Sequence, residues 1–113
     1  TYEYPFIKWA GRPVYGNIKA DAWLDTTYEG GYLKYVLTVQ FEKGILKAGE
    51  GSRVAQKRGL VVELLDQDGF KIAQFNVPGY QLSDTRSESV LEARNSVLFP
   101  EAVYKRAQRI IIR

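Results

Sequence analysis

The chain has 113 residues, 45% of them hydrophobic and 26% charged, with 16 Lys plus Arg against 13 Asp plus Glu and a formal net charge of +3. This is the composition and size of one globular domain with enough core to fold without staples. Cys, His and Met are all absent, which excludes disulfides, thiolate and imidazole catalysis, and nearly every zinc, haem or iron–sulfur site.

The opening segment Tyr2-Glu3-Tyr4-Pro5-Phe6-Ile7-Lys8-Trp9 reads as extended and aromatic, interrupted by Pro5. A proline cannot donate to a central ladder, so this segment belongs at a sheet edge. There it either lies along its own sheet or pairs with a neighbouring domain or subunit. From Asn17 to Leu24, Ile18, Ala20, Ala22 and Leu24 alternate with Lys19, Asp21 and Trp23, which predicts a strand with Trp23 on the more polar face. Gly30-Gly31 marks a turn, and Tyr32 to Glu42 is the clearest strand of the chain, with Leu33, Tyr35, Leu37, Val39 and Phe41 on one face.

Residues 43–58 carry Lys43, Lys47, Arg53, Lys57 and Arg58 against the single acid Glu50. Lys47 to Arg53 lacks the Gly-x-x-x-x-Gly-Lys-Ser/Thr spacing of a phosphate loop, and no helix follows to present its N-terminus. The segment reads as a basic solvated loop suited to an acidic partner. Leu60 to Leu65 and Phe70 to Val77 flank Asp66-Gln67-Asp68-Gly69 and form a hairpin. Ser89 to Arg94 and Arg109 to Arg113 supply two more strands, and between them Phe99 to Tyr104 forms a short helical turn begun at Pro100. Residues 105–113 hold Lys105, Arg106, Arg109 and Arg113 with no acid.

About seven short strands without a long amphipathic helix favour an all-β fold, an antiparallel immunoglobulin-like sandwich formed by residues 1–113 as a single domain, with a small barrel as the alternative. The longest apolar run, Ile110-Ile111-Ile112, is far shorter than the roughly 20 residues of a membrane helix. The chain begins at Thr1 without a basic-then-apolar leader, and so reads as a processed chain or a piece of a longer one.

Val62-Glu63-Leu64-Leu65-Asp66-Gln67-Asp68-Gly69-Phe70 resembles the strand and turn of the FxLYD domains, small immunoglobulin-like sandwiches of bacterial envelope proteins. Leu64 and Asp66 match that motif, whereas Val62 stands in place of its Phe and Leu65 in place of its Tyr. The resemblance implies a periplasmic or extracellular accessory domain without a catalytic site.

Asp66 and Asp68 do not make a calcium loop: counted from Asp66, Gly69 falls at position 4 and Val77 at position 12, where an EF-hand needs Gly at 6 and Glu at 12. Glu63, Asp84, Glu88, Glu92 and Glu101 are scattered singly, and only a meeting in space would make a catalytic pair. Trp9, Trp23, Tyr28 and Tyr32 are either core residues or flat rings for a polysaccharide. Neither basic segment has the interleaved aromatics of an RNA-binding sheet. The expected function is therefore a binding or assembly module, not an enzyme, that holds a protein partner or a second copy and needs no cofactor or metal. The alternative is a carbohydrate-binding module.

Overall fold

Inward and outward residues alternate through the long central strands, and the two sheets follow from that pattern. The computed structural model describes residues 7–15, 18–42, 59–87 and 90–113. Among the described residues there are nine strands: β1 (Ile7–Gly11), β2 (Val14–Tyr15), β3 (Ile18–Glu29), β4 (Tyr32–Phe41), β5 (Leu60–Leu65), β6 (Lys71–Val77), β7 (Ser83–Ser87), β8 (Val90–Leu98) and β9 (Arg109–Ile112). A 3-10 turn, Gly79–Gln81, and one short helix, α1 (Glu101–Arg106), complete the described elements.

β3 and β4 form a hairpin in register from Ala20↔Phe41 to Glu29↔Tyr32. Gly30 and Gly31 turn the chain with φ of 61° and 87°, a conformation that a Cβ would oppose at both positions. Across the turn, Lys34 Nζ donates to Glu29 Oε2 at 2.8 Å. Leu33, Tyr35, Leu37, Val39 and Phe41 all lie buried on one face of β4, as their alternation predicts. From β3 the inward set is Ala20, Ala22, Leu24, Thr26 and Tyr28, so this strand continues to Glu29, past the Leu24 limit that its apolar alternation sets.

All the pairings are antiparallel. One sheet has the order β1-β3-β4-β8-β7, with β2 also paired to β3, and the second has the order β6-β5-β9. Leu60, Val62, Leu64, Val77, Ile110 and Ile112 of the second sheet meet the inner face of the first in one core. Full burial of each Leu, Ile or Val contributes roughly 1.5–3 kcal/mol. Seven of the nine strands, β3 to β9, make an immunoglobulin-like all-β sandwich: β3-β4-β8-β7 follows the A-B-E-D order, and β5 and β9 take the places of C and F.

The Asp66-to-Gly69 turn is held by Asp66 Oδ1, which accepts from the Asp68 and Phe70 amides at 2.9 Å each, and by Gly69 at φ 86°. The acids of this turn thus satisfy backbone donors. β8 runs to Leu98, beyond the expected Arg94, because its polar stretch Arg94–Ser96 is held in the ladder by Val36, Tyr35 and Lys34 of β4. β7 has no apolar alternation, and its irregular pairing with β8 defines it. The helix is where the proline predicts it, with Pro100 at its N-cap.

Candidate functional site

β1 lies at the edge of the larger sheet and β9 at the edge of the smaller, on the same flank of the sandwich. They meet at Gly11, where an added Cβ would come within 2.7 Å of Ile112 Cβ. The half-buried Trp9 sits on the inner face of β1 and packs against the core. Its indole N–H donates to Thr26 Oγ1 at 3.0 Å, and the Thr26 and Tyr104 hydroxyls lie 3.3 Å apart. Tyr104 stacks on Tyr28 with ring centroids 5.3 Å apart, and the Tyr28 hydroxyl donates to the Phe99 carbonyl at 2.5 Å. Polar groups inside the flank are thereby joined to one another.

β9 presents its other side outward. Val61 and Arg113 exchange two backbone hydrogen bonds, of 2.7 and 3.0 Å, and the register continues through Glu63↔Ile111. Antiparallel alternation therefore turns the backbone groups of Arg113 and Ile111 toward β5 and those of Ile110 and Ile112 away from it. No strand pairs with that outer side among the described residues. The Ile110 and Ile112 side chains point into the core, while Arg109, Ile111 and Arg113 point outward. Arg113 donates to the buried Glu63 carboxylate. Arg109 is exposed and has no ion-pair partner among the described residues.

The outer face of the larger sheet carries a different set of residues. Trp23 is half-buried there, with Ala10 beside it on β1 and Thr38 on β4, and Thr38 is next to Glu92. Glu92 is bonded to Arg94 Nε at 2.6 Å. At one end of this face Tyr32 (48% exposed) pairs across strands with Leu98 (77% exposed).

A depression of about 710 Å³ is bordered by Arg12, Lys19, Asp21, Gln40 and Glu42. Its two carboxylates are exposed, and Asp21 faces Arg12 at 3.7 Å. No cluster of three or more Asp or Glu residues suited to a metal ion occurs among the described residues, and no helix there is long and apolar enough to cross a membrane.

The aromatic candidates separate on this framework. Tyr28 is 7% exposed and its hydroxyl is engaged, so it offers no ring to solvent. Trp9 belongs to the flank and Trp23 and Tyr32 to the outer face, so the four rings form no common platform. Tyr4, Phe6, Lys43, Lys47, Arg53, Lys57 and Arg58 lie outside the described residues. Compared with known proteins, the chain matches no family model, no curated protein and no solved structure.

Sequence reasoning passed over Thr26, Tyr104 and the outer edge of β9. Thr26 did leave a signal, since a hydroxyl at an inward position of the β3 alternation needs a buried partner. The edge of β9 left none, because strand order is decided by pairings far apart in the chain.

Proposed function

We propose that this chain is a non-enzymatic binding and assembly module that takes up an extended acidic polypeptide along the outer edge of β9. The observation that carries the reading is the outward backbone of Ile110 and Ile112 beside Arg109 and Arg113. An added strand gains main-chain hydrogen bonds from such an edge, and alternate side chains decide which strand is accepted. Apolar side chains of that strand would enter the flank next to Trp9, and acidic ones would meet the arginines. The exposed carboxylates of the Asp21 groove suit a surface better than a catalytic pair, which supports the non-catalytic part of the reading. A setting in a periplasmic or extracellular protein belongs to the same proposal, and Leu64, Asp66 and the hairpin turn support it.

The test is amide hydrogen exchange of the whole chain with a synthetic peptide of alternating Val and Glu. Selective protection of the Ile110 and Ile112 amides is the expected result, with a Val and Lys peptide as the inactive control. Equal protection by both peptides, or protection by neither, overturns the reading.

A second reading, carbohydrate binding, is favoured by one observation, the half-buried Trp23 among Ala10, Thr38 and Glu92 on an open sheet face. An indole ring covers the apolar face of a sugar while neighbouring polar groups reach its hydroxyls. Titration of a soluble β-glucan panel against tryptophan fluorescence tests it: a spectral shift lost in Trp23→Phe but kept in Trp9→Phe supports this reading, and a flat response removes it.

A further inference from the structure

The acceptor edge of β9 calls for an acid between two apolar residues, and this chain carries that pattern at Tyr2-Glu3-Tyr4, followed by Pro5 and Phe6. We infer that the strand taken up along β9 is this segment of a second copy of the same chain. The inference rests on the reading of β9 as an acceptor edge and names its occupant.

In an antiparallel register with Tyr2 opposite Ile112 and Tyr4 opposite Ile110, the two tyrosines face inward, on the side where Ile110 and Ile112 are buried. Glu3 then stands opposite Ile111 on the outer face, between Arg109 and Arg113 and within diagonal reach of both. Pro5 is the discriminating position. Its missing N–H falls on the side turned away from β9, the one side on which a proline leaves the ladder whole. Proline also holds the residue before it, Tyr4, in extended conformation.

The same segment leads directly into β1 at Ile7. In its own chain, Gly11 already stands beside Ile112, so this register within one chain would set both Tyr2 and Gly11 at Ile112 and require the chain to double back between them. A second copy supplies the segment in the needed direction without a reversal of the chain. Donor segment and acceptor edge are different surfaces, so the contact is heterologous: it closes when two copies exchange segments and extends into a chain of copies otherwise.

Sedimentation velocity on the full chain over a concentration series tests the inference. Mass above the monomer that rises with concentration is expected. Glu3→Arg alone and Arg109→Glu alone should each weaken association about tenfold, and the double variant should recover it, since opposite charges again face each other. Near-ultraviolet circular dichroism identical to that of the parent shows that a weakened variant is still folded. A chain that is monomeric throughout the series overturns the inference, as does association indifferent to both charge reversals. The two readings fail separately: a monomer whose Ile110 and Ile112 amides are still protected by the Val and Glu peptide keeps the acceptor edge and loses only the second copy as occupant. A monomer that the peptide does not protect loses both.

Discussion

Trp9 donates its indole N–H to the hydroxyl of Thr26 at 3.0 Å, across the β1–β3 ladder and inside the flank of the sandwich. The acceptor is fully buried, at 0% exposure, and it also lies 3.3 Å from the Tyr104 hydroxyl. One threonine thus ties the edge strand β1 to the connection that carries the chain from β8 to β9. Thr26→Val keeps the shape and removes the acceptor, at an expected cost of about 1–2 kcal/mol. Urea unfolding at unchanged m-value measures the loss. In a Trp23→Phe background, the Trp9 emission should shift to the red and become more open to iodide.

Gly11 is where the flank is tightest. An added Cβ would meet Ile112 Cβ at 2.7 Å and its Cγ1 and Cδ1 at 3.2 Å, so Gly11→Ala should destabilise the fold by about 1–3 kcal/mol. Ile112→Ala removes the outer atoms but leaves the Cβ that collides. The double variant should therefore recover little, and a double-mutant cycle by chemical denaturation should give near-additive losses.

Tyr28→Phe keeps the stacking on Tyr104 and deletes the hydroxyl that donates to the Phe99 carbonyl at 2.5 Å. The expected cost is about 1 kcal/mol, since the buried carbonyl loses its donor. Thermal unfolding should show a lowered midpoint with no change in the folded near-ultraviolet spectrum.

Burial pushes the Tyr35 hydroxyl above its ordinary value of 10.0. The folded chain holds this proton more tightly than the unfolded chain, so the contribution to stability is fully present below pH 10 and is lost as pH rises through the folded value. Tyr35→Phe should shift the midpoint of alkaline unfolding upward, as followed by circular dichroism between pH 9 and 12. At the other extreme of pH, the Lys34 hydrogen bond and charge hold the Glu29 carboxyl below its usual range. Because both side chains of this pair are exposed to solvent, Glu29→Gln should leave acid unfolding nearly unchanged.

The legible part of the fold was its alternation. Every inward residue of β4 is buried as the sequence predicts, and so are Ala20, Ala22 and Leu24 of β3, because a strand with one buried face writes its period into the chain. The hairpin turns were legible for a similar reason, since Gly30, Gly31 and Gly69 occupy positive φ values that few other residues tolerate. The far halves of β3 and β8 were less visible: Asp25, Thr27, Arg94 and Ser96 are polar outward positions whose place in the ladder depends on partners in β4. β7 was invisible, since its hydrogen bonds to β8 and not an apolar stripe make it a strand.

The candidate site divides in the same way. The sequence by itself determined that the chain lacks thiol and imidazole chemistry, that its strands alternate, and that its last nine residues are basic. Local spacing and side-chain type are enough for each of these. Only the tertiary structure decided that β9 ends a sheet among the described residues, with the backbone groups of Ile110 and Ile112 turned outward and their side chains buried, that Trp9 is bonded to Thr26, and that Tyr28 is sealed inside while Tyr32 is open. Which strand becomes an edge, and which aromatic ring is covered, is decided by contacts between segments distant in the chain, and no local pattern encodes their pairing.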